Sequence, residues 1–157
     1  MKSVYYYETD LGLLGIADDG EAITEVFFAH DKPPDGAQHK ESKLIKQAVL
    51  QLTEYLQGQR REFDLPLRLL GTDMQQEVWG ALLTIPYGQT RSYKQIAQQI
   101  MRPRAYRAVG MANNRNPIAI IVPCHRVIGA DGSLVGYGGG LHIKRHLLKL
   151  ERQHLAS

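Results

Sequence analysis

The hydrophobic positions at the start of the chain fall in three short runs, residues 4–7, 12–17 and 22–28, separated by Thr9-Asp10 and Asp18-Asp19-Gly20. Short β-prone runs broken by turn residues predict an antiparallel meander, and the Asp-Gly step is a hairpin signal. Residues 31–38, which include Pro33-Pro34-Asp35-Gly36, predict an exposed loop. The period then changes. Between residues 40 and 56 the apolar positions Leu44, Ile45, Ala48, Val49, Leu52, Tyr55 and Leu56 recur at three and four, which predicts one amphipathic helix ending at Gly58. Residues 63–67 predict a further strand, and Pro66 places it at an edge.

From Leu70-Gly71-Thr72 onward the pattern is helical and frequently interrupted. Thr72 or Asp73 caps a helix to about residue 84 with Val78, Trp79, Leu82 and Leu83 inward, and Ile85-Pro86-Tyr87-Gly88 breaks it. Ser92 with Gln95 three residues later predicts a capping box for a helix over 93–100. Arg102-Pro103 separates it from a helix over 104–113. Two short helices around a tight turn predict a helix-turn-helix. The second carries Ala105, Ala108, Gly110 and Ala112 beside Arg104 and Arg107. Small residues there permit tight packing inside the protein or a close approach to a docked ligand. Residues 118–122 predict a fully apolar strand, 130–133 a turn, 136–140 a flexible glycine loop, and 141–150 a closing amphipathic helix. The fold class predicted is α+β. A small antiparallel sheet with one helix occupies residues 1–70, and a mostly helical domain with the helix-turn-helix occupies residues 71–157.

Composition narrows the function. With 43% hydrophobic and 22% charged residues the chain reads as an ordinary globular protein. It has neither an apolar run long enough to cross a bilayer nor the basic-then-apolar start of a signal peptide, so the expectation is a cytoplasmic protein without membrane contact. The one cysteine, Cys124, excludes an internal disulfide framework and any zinc site built on several thiolates. Formal charge is uneven: residues 1–70 carry net −4 and residues 71–157 net +7. The second half is therefore a candidate polyanion-binding module.

Candidate chemistry centres on Pro123-Cys124-His125-Arg126. A thiol attacks as thiolate, and with an ordinary pKa of about 8.5 only a few per cent is ionised near neutrality. A positive or basic neighbour raises that fraction. Successive side chains of an extended segment point to opposite faces, so a Cys124–His125 pair needs a bend after Pro123 or a bridging water. A histidine base also needs an orienting partner. Glu151 is one of only two carboxylates after Glu77, the other being Asp131 in a turn. On these residues alone, a buried inert thiol and a packing histidine stay open as alternatives. His142 and His146 lie one helical turn apart without a third ligand and read as a surface face, so no metal site is expected. The 136–140 run lacks the Gly-Lys-Ser/Thr ending of a phosphate loop and fits a lid better.

These motifs together resemble the O6-alkylguanine-DNA alkyltransferases, the methylated-DNA–protein-cysteine methyltransferases. The most specific piece is Ile121-Val122-Pro123-Cys124-His125-Arg126-Val127, supported by Ile85-Pro86-Tyr87-Gly88, Ser92-Tyr93, Arg107-Ala108-Val109-Gly110, Asn116-Pro117 and Gly136-Tyr137-Gly138-Gly139-Gly140. The resemblance is strong over residues 72–151 and looser before them, where it implies a ribonuclease H-like scaffold. It implies that Cys124 accepts an alkyl group irreversibly from O6-alkylguanine after the base is flipped out of the duplex. His125 would act through a water as base, Glu151 would orient it, Asn116 would brace the turn, and Tyr93 would assist the leaving base. DNA contacts would come from Tyr93, Arg107, Ala105, Ala108, Gly110, Arg115 and Arg126, with the second helix in the minor groove of double-stranded DNA. Tyr137, Gly138, Gly139 and Val127 would form the pocket and lid, and Gly138 suggests room for larger alkyl groups and for O4-alkylthymine. No cofactor is implied, and the protein would act as a monomer. The chain departs from the family pattern at His146, where an aromatic is common, at Leu150, where a histidine is usual, and at the polar segment Asn113-Asn114-Arg115. A DNA-damage binder, a redox-sensing helix-turn-helix regulator and a cysteine hydrolase are the competing readings.

Overall fold

The N-terminal runs form the predicted meander. In the computed structural model, which describes all residues except 29–33, 135, 138, 156 and 157, β1 (Ser3–Thr9), β2 (Gly12–Asp18) and β3 (Ile23–Phe28) pair antiparallel in sequence. A two-residue strand β4 (Gln38–His39) adds to the other edge of β1 in parallel, giving the order β3-β2-β1-β4. That strand falls where the sequence predicts loop; residues 29–33 of the same stretch lie outside the described residues. Gly15 is required by packing, because a Cβ there would stand 2.3 Å from the Phe27 ring that crosses it.

Helix α1 (Lys43–Leu56) covers this sheet with Ile45, Ala48, Leu52 and Tyr55 fully buried. Ser42 caps it, accepting from the Ile45 N–H at 3.1 Å, and Gly58 follows its end at φ 76°. Two expectations are corrected. Residues 63–67 are not a strand: only Leu67 makes an isolated bridge, to Ile23. The apolar run 118–122 is not one either. Ile118 bridges Val26, but Ile120 sits at φ 72°, and this left-handed residue breaks the extended path.

The chain divides into two compact units, Met1–Leu69 with Pro117–Ile121, and Leu70–Asn116 with Val122–Ser157. The second unit contains α2 (Asp73–Leu82), β5 (Arg91–Ser92), α3 (Tyr93–Gln99), α4 (Tyr106–Asn114), β6 (Val127–Ile128) and α5 (Leu141–Gln153). Thr72 with Gln75 and Ser92 with Gln95 each form a complete capping box. β5 and β6 pair in parallel. α3 and α4 pack as a helix pair, and α2 holds α4 through Trp79, whose indole N–H donates to the Ala112 carbonyl at 2.9 Å. Ala112, read from the sequence with the small docking residues, is thus buried on the inner face of α4. Among the described residues no helix is long and apolar enough to cross a membrane.

Candidate active site and nucleic-acid interface

The chain bends after Pro123, one of the two arrangements the sequence left open for Cys124 and His125. Cys124–Arg126 form a single 3-10 turn, with the Arg126 N–H donating to the Pro123 carbonyl at 3.0 Å. Residues one step apart in such a turn project about a third of a turn from one another. The turn therefore sends Cys124 and His125 to different neighbours. Asn116 donates to the Val122 carbonyl at 2.8 Å and also to the Cys124 sulfur. Asn113, buried at the end of α4, donates to the Cys124 carbonyl at 3.3 Å.

On the other side, His125 Nε2 lies 2.7 Å from Glu151 Oε2, both side chains being fully buried. Arg126 reaches the same carboxylate, with Nε 2.9 Å from Oε1 and Nη2 2.9 Å from Oε2, and donates to the Ile85 carbonyl at 2.7 Å. The Gly88 N–H completes the set at 2.9 Å from Oε1. Gly88 must be glycine: its φ is 79°, and a Cβ would meet Leu155 at 2.3 Å. Arg126 was expected on the DNA surface. It is only 7% exposed and is occupied by Glu151, because the buried carboxylate needs a permanent cation.

These contacts set the charges. Burial alone would push the Glu151 carboxyl up, but His125 and Arg126 pull it down to about 2, so it is ionised. Burial pushes His125 down, against the pull of Glu151, and with Arg126 already neutralising that carboxylate the imidazole is neutral. A neutral imidazole that donates from Nε2 keeps the lone pair of a base on Nδ1. Burial also raises the Cys124 thiol, while the Asn116 hydrogen bond and the charge of Lys144 lower it.

Lys144 was not singled out in the sequence. It projects from α5 with none of its surface exposed, its ammonium donates to the Val127 carbonyl at 2.5 Å, and burial pushes its pKa down to about 8. The buried set thus holds Arg126 and Lys144 against Glu151, a net charge of +1 when the thiol is protonated. Ionising Cys124 brings it to zero. Asn116 and Lys144 thus oppose the burial that keeps the thiol protonated, without outweighing it.

The remaining expected residues separate into two groups. Tyr93, half-buried at the start of α3, and Tyr137 both have their phenols held neutral, by burial first and then by the nearby Cys124. Gly139 and Val127 are buried, and Val127 contributes its carbonyl to Lys144. Gly138 lies outside the described residues. On α4, Arg107 and Ala108 are exposed, Arg115 is exposed just past its end, and Ala105 and Gly110 are partly exposed. A Cβ on Gly110 would only touch the Tyr93 ring at 3.7 Å, so nothing inside the fold requires glycine there. Among the described residues no cluster of histidine, cysteine and carboxylates could hold a metal.

Comparison with known proteins agrees on both units. Residues 73–153 match the family model for the 6-O-methylguanine DNA methyltransferase DNA binding domain, and residues 4–69 match that for its ribonuclease-like domain. A methylated-DNA–protein-cysteine methyltransferase of Methanosarcina barkeri is 50% identical, covering 97% of this chain and 99% of its own. The Mycobacterium bovis protein of the same name is 52% identical, covering 92% of this chain and 89% of its own. The crystal structure of Mycobacterium tuberculosis OGT in complex with DNA superposes with a TM-score of 0.92 at 49% identity, covering 97% of this chain and 94% of that one. Two family models that together span nearly the whole chain, and relatives of this identity and coverage, establish that the chain belongs to the methylated-DNA–protein-cysteine methyltransferase family.

Proposed function

We propose that this protein repairs alkylated DNA by direct reversal, moving the alkyl group of O6-alkylguanine, and of O4-alkylthymine, irreversibly onto Cys124. The observation that carries this reading is the buried network in which Glu151, held by Arg126, orients His125 directly beside Cys124, whose sulfur accepts from Asn116. His125, oriented by Glu151, takes the thiol proton through a water. The thiolate then attacks the alkyl carbon; a carbon–sulfur bond forms and the carbon–oxygen bond to the base breaks. The electron pair stays on the base, where Tyr93 donates a hydrogen bond or proton to it. A thioether is a poor leaving group, so each molecule acts once and needs no cofactor.

The reacting carbon is inside a duplex, so the base must be flipped out, at a cost of a few kcal/mol. In this reading α4 enters the minor groove of double-stranded DNA. Arg107 fills the vacated stack, Ala105, Ala108 and Gly110 let the backbone close on the groove, and Arg115 meets phosphate. Tyr137 and Gly139 close the pocket. Residues 1–70 serve as scaffold and 71–157 as the DNA-binding acceptor domain, the whole acting as a monomer in the reducing cytoplasm. The test is to incubate the protein with duplex DNA carrying O6-methylguanine and weigh it intact. One methylene equivalent gained per molecule, on the Cys124 peptide, is the expected result, and Cys124→Ser should abolish the gain while sparing DNA binding. Tight binding with no mass change would leave a damage-binding or regulatory protein, and repeated turnover would mean a hydrolase.

A further inference from the structure

A cavity of about 450 Å³ lies beside α5, away from the thiol. Arg145, Leu148 and Arg152 line it from the helix, and Ile128 and Leu134 from the segment before it. Cys124, His125, Tyr93 and Tyr137 are not among its walls. Its volume is in the range of small-molecule sites, about 300–1,000 Å³.

Arg145 and Arg152 are seven residues apart, two helical turns, and so share one face of α5 about 10 Å apart along its axis. Both are exposed, and among the described residues neither makes a hydrogen bond or ion pair, in contrast to Arg126 on the same unit. Two unengaged guanidiniums over a floor of Ile128, Leu134 and Leu148 match an anion with an apolar body. The inner wall adds a second feature. It includes Gly88 and Glu151, whose hydrogen bond belongs to the His125 relay. A negative charge placed there favours protonated His125 and opposes the thiolate.

We propose that this cavity is a second binding site, for a small organic anion such as an aryl carboxylate, sulfonate or phosphate, and that its occupancy slows Cys124 by raising the pH at which the thiol becomes reactive. Any consequence for repair rests on the function proposed above; binding and the effect on the thiol do not. The test uses naphthalene-2-sulfonate and the full chain. Calorimetry should give one site per molecule, and R145Q/R152Q should weaken it by about tenfold or more, the scale of losing a charge-assisted hydrogen bond. The melting temperature of the double variant should match the parent, showing that the fold is kept. Saturating ligand should move the pH dependence of Cys124 alkylation by iodoacetamide to higher pH in the parent and leave it in place in the double variant. Equal affinity in the double variant would overturn the site. So would quantitative displacement by lesion-free duplex, which would make the cavity part of a phosphate track. Binding without a change in the iodoacetamide profile would overturn the coupling to the relay.

Discussion

Arg126 and Glu151 set the acid tolerance of the protein. Glu151 is held at about 2 against an ordinary 4.5. A carboxyl whose folded pKa is depressed stabilises the fold fully above its unfolded pKa, so this contribution is present above pH 4.5 and is lost as pH falls towards 2, on the order of 3 kcal/mol in all. Glu151→Gln leaves the buried Arg126 without its counter-ion. It should cost about 3–5 kcal/mol in denaturant unfolding at neutral pH, and the acid limb should flatten. The reacted form gives a further expectation. An alkyl group on Cys124 adds volume to a sulfur that is already buried and bonded by Asn116, and overpacking destabilises. The alkylated protein should therefore melt at lower temperature than the free protein, compared by calorimetry on the same preparation before and after reaction. Of these residues the sequence made Cys124, His125 and Glu151 legible, because a lone thiol and a rare carboxylate stand out. Lys144 and Arg126 were not legible, since a basic residue is normally exposed and only the folded position shows which ones are spent on buried partners.

At the scale of elements, local chemistry was easier to read than tertiary context. The Thr72 cap, the Ser92 capping box and the amphipathic face of α1 appear where spacing predicts them, because each depends on residues within a few positions of each other. The apolar run 118–122 defeated the same approach: it is buried all round, so it has no alternation to read, and the positive φ at Ile120 has no sequence mark. Gly110 allows fold and interface to be separated on one helix. Gly110→Ala should stabilise the protein by about 0.5–1 kcal/mol, since the glycine lies within α4 and the added Cβ makes only ordinary contact. Gly110→Leu should weaken binding to duplex DNA in a fluorescence anisotropy titration. Unchanged DNA affinity in the leucine variant would take α4 out of the groove.

For the molecule as a whole, the division of charge was visible in the sequence and the division of the chain was only partly so. A boundary near residue 70 is present, but Pro117–Ile121 returns to the first unit, where Ile118 and Pro117 serve Val26, the latter by accepting from its N–H at 2.9 Å. Composition carries no trace of such a return, because the partners are some ninety positions away. The net +7 of residues 71–157 predicts strongly salt-dependent DNA binding. Arg115→Ala should weaken binding to all sequences alike and lower the slope of log K against log salt by about 0.9, the value for one phosphate contact.

Trp79 offers a direct view of these events. It is the only tryptophan in the chain, it is 2% exposed, and its indole is tied to the backbone of α4. All intrinsic emission excited at the red edge thus comes from one ring fastened to the helix proposed to read DNA. Its wavelength and lifetime form a label-free gauge of whether that helix stays seated as DNA is bound, as the base is extruded and as the sulfur is consumed.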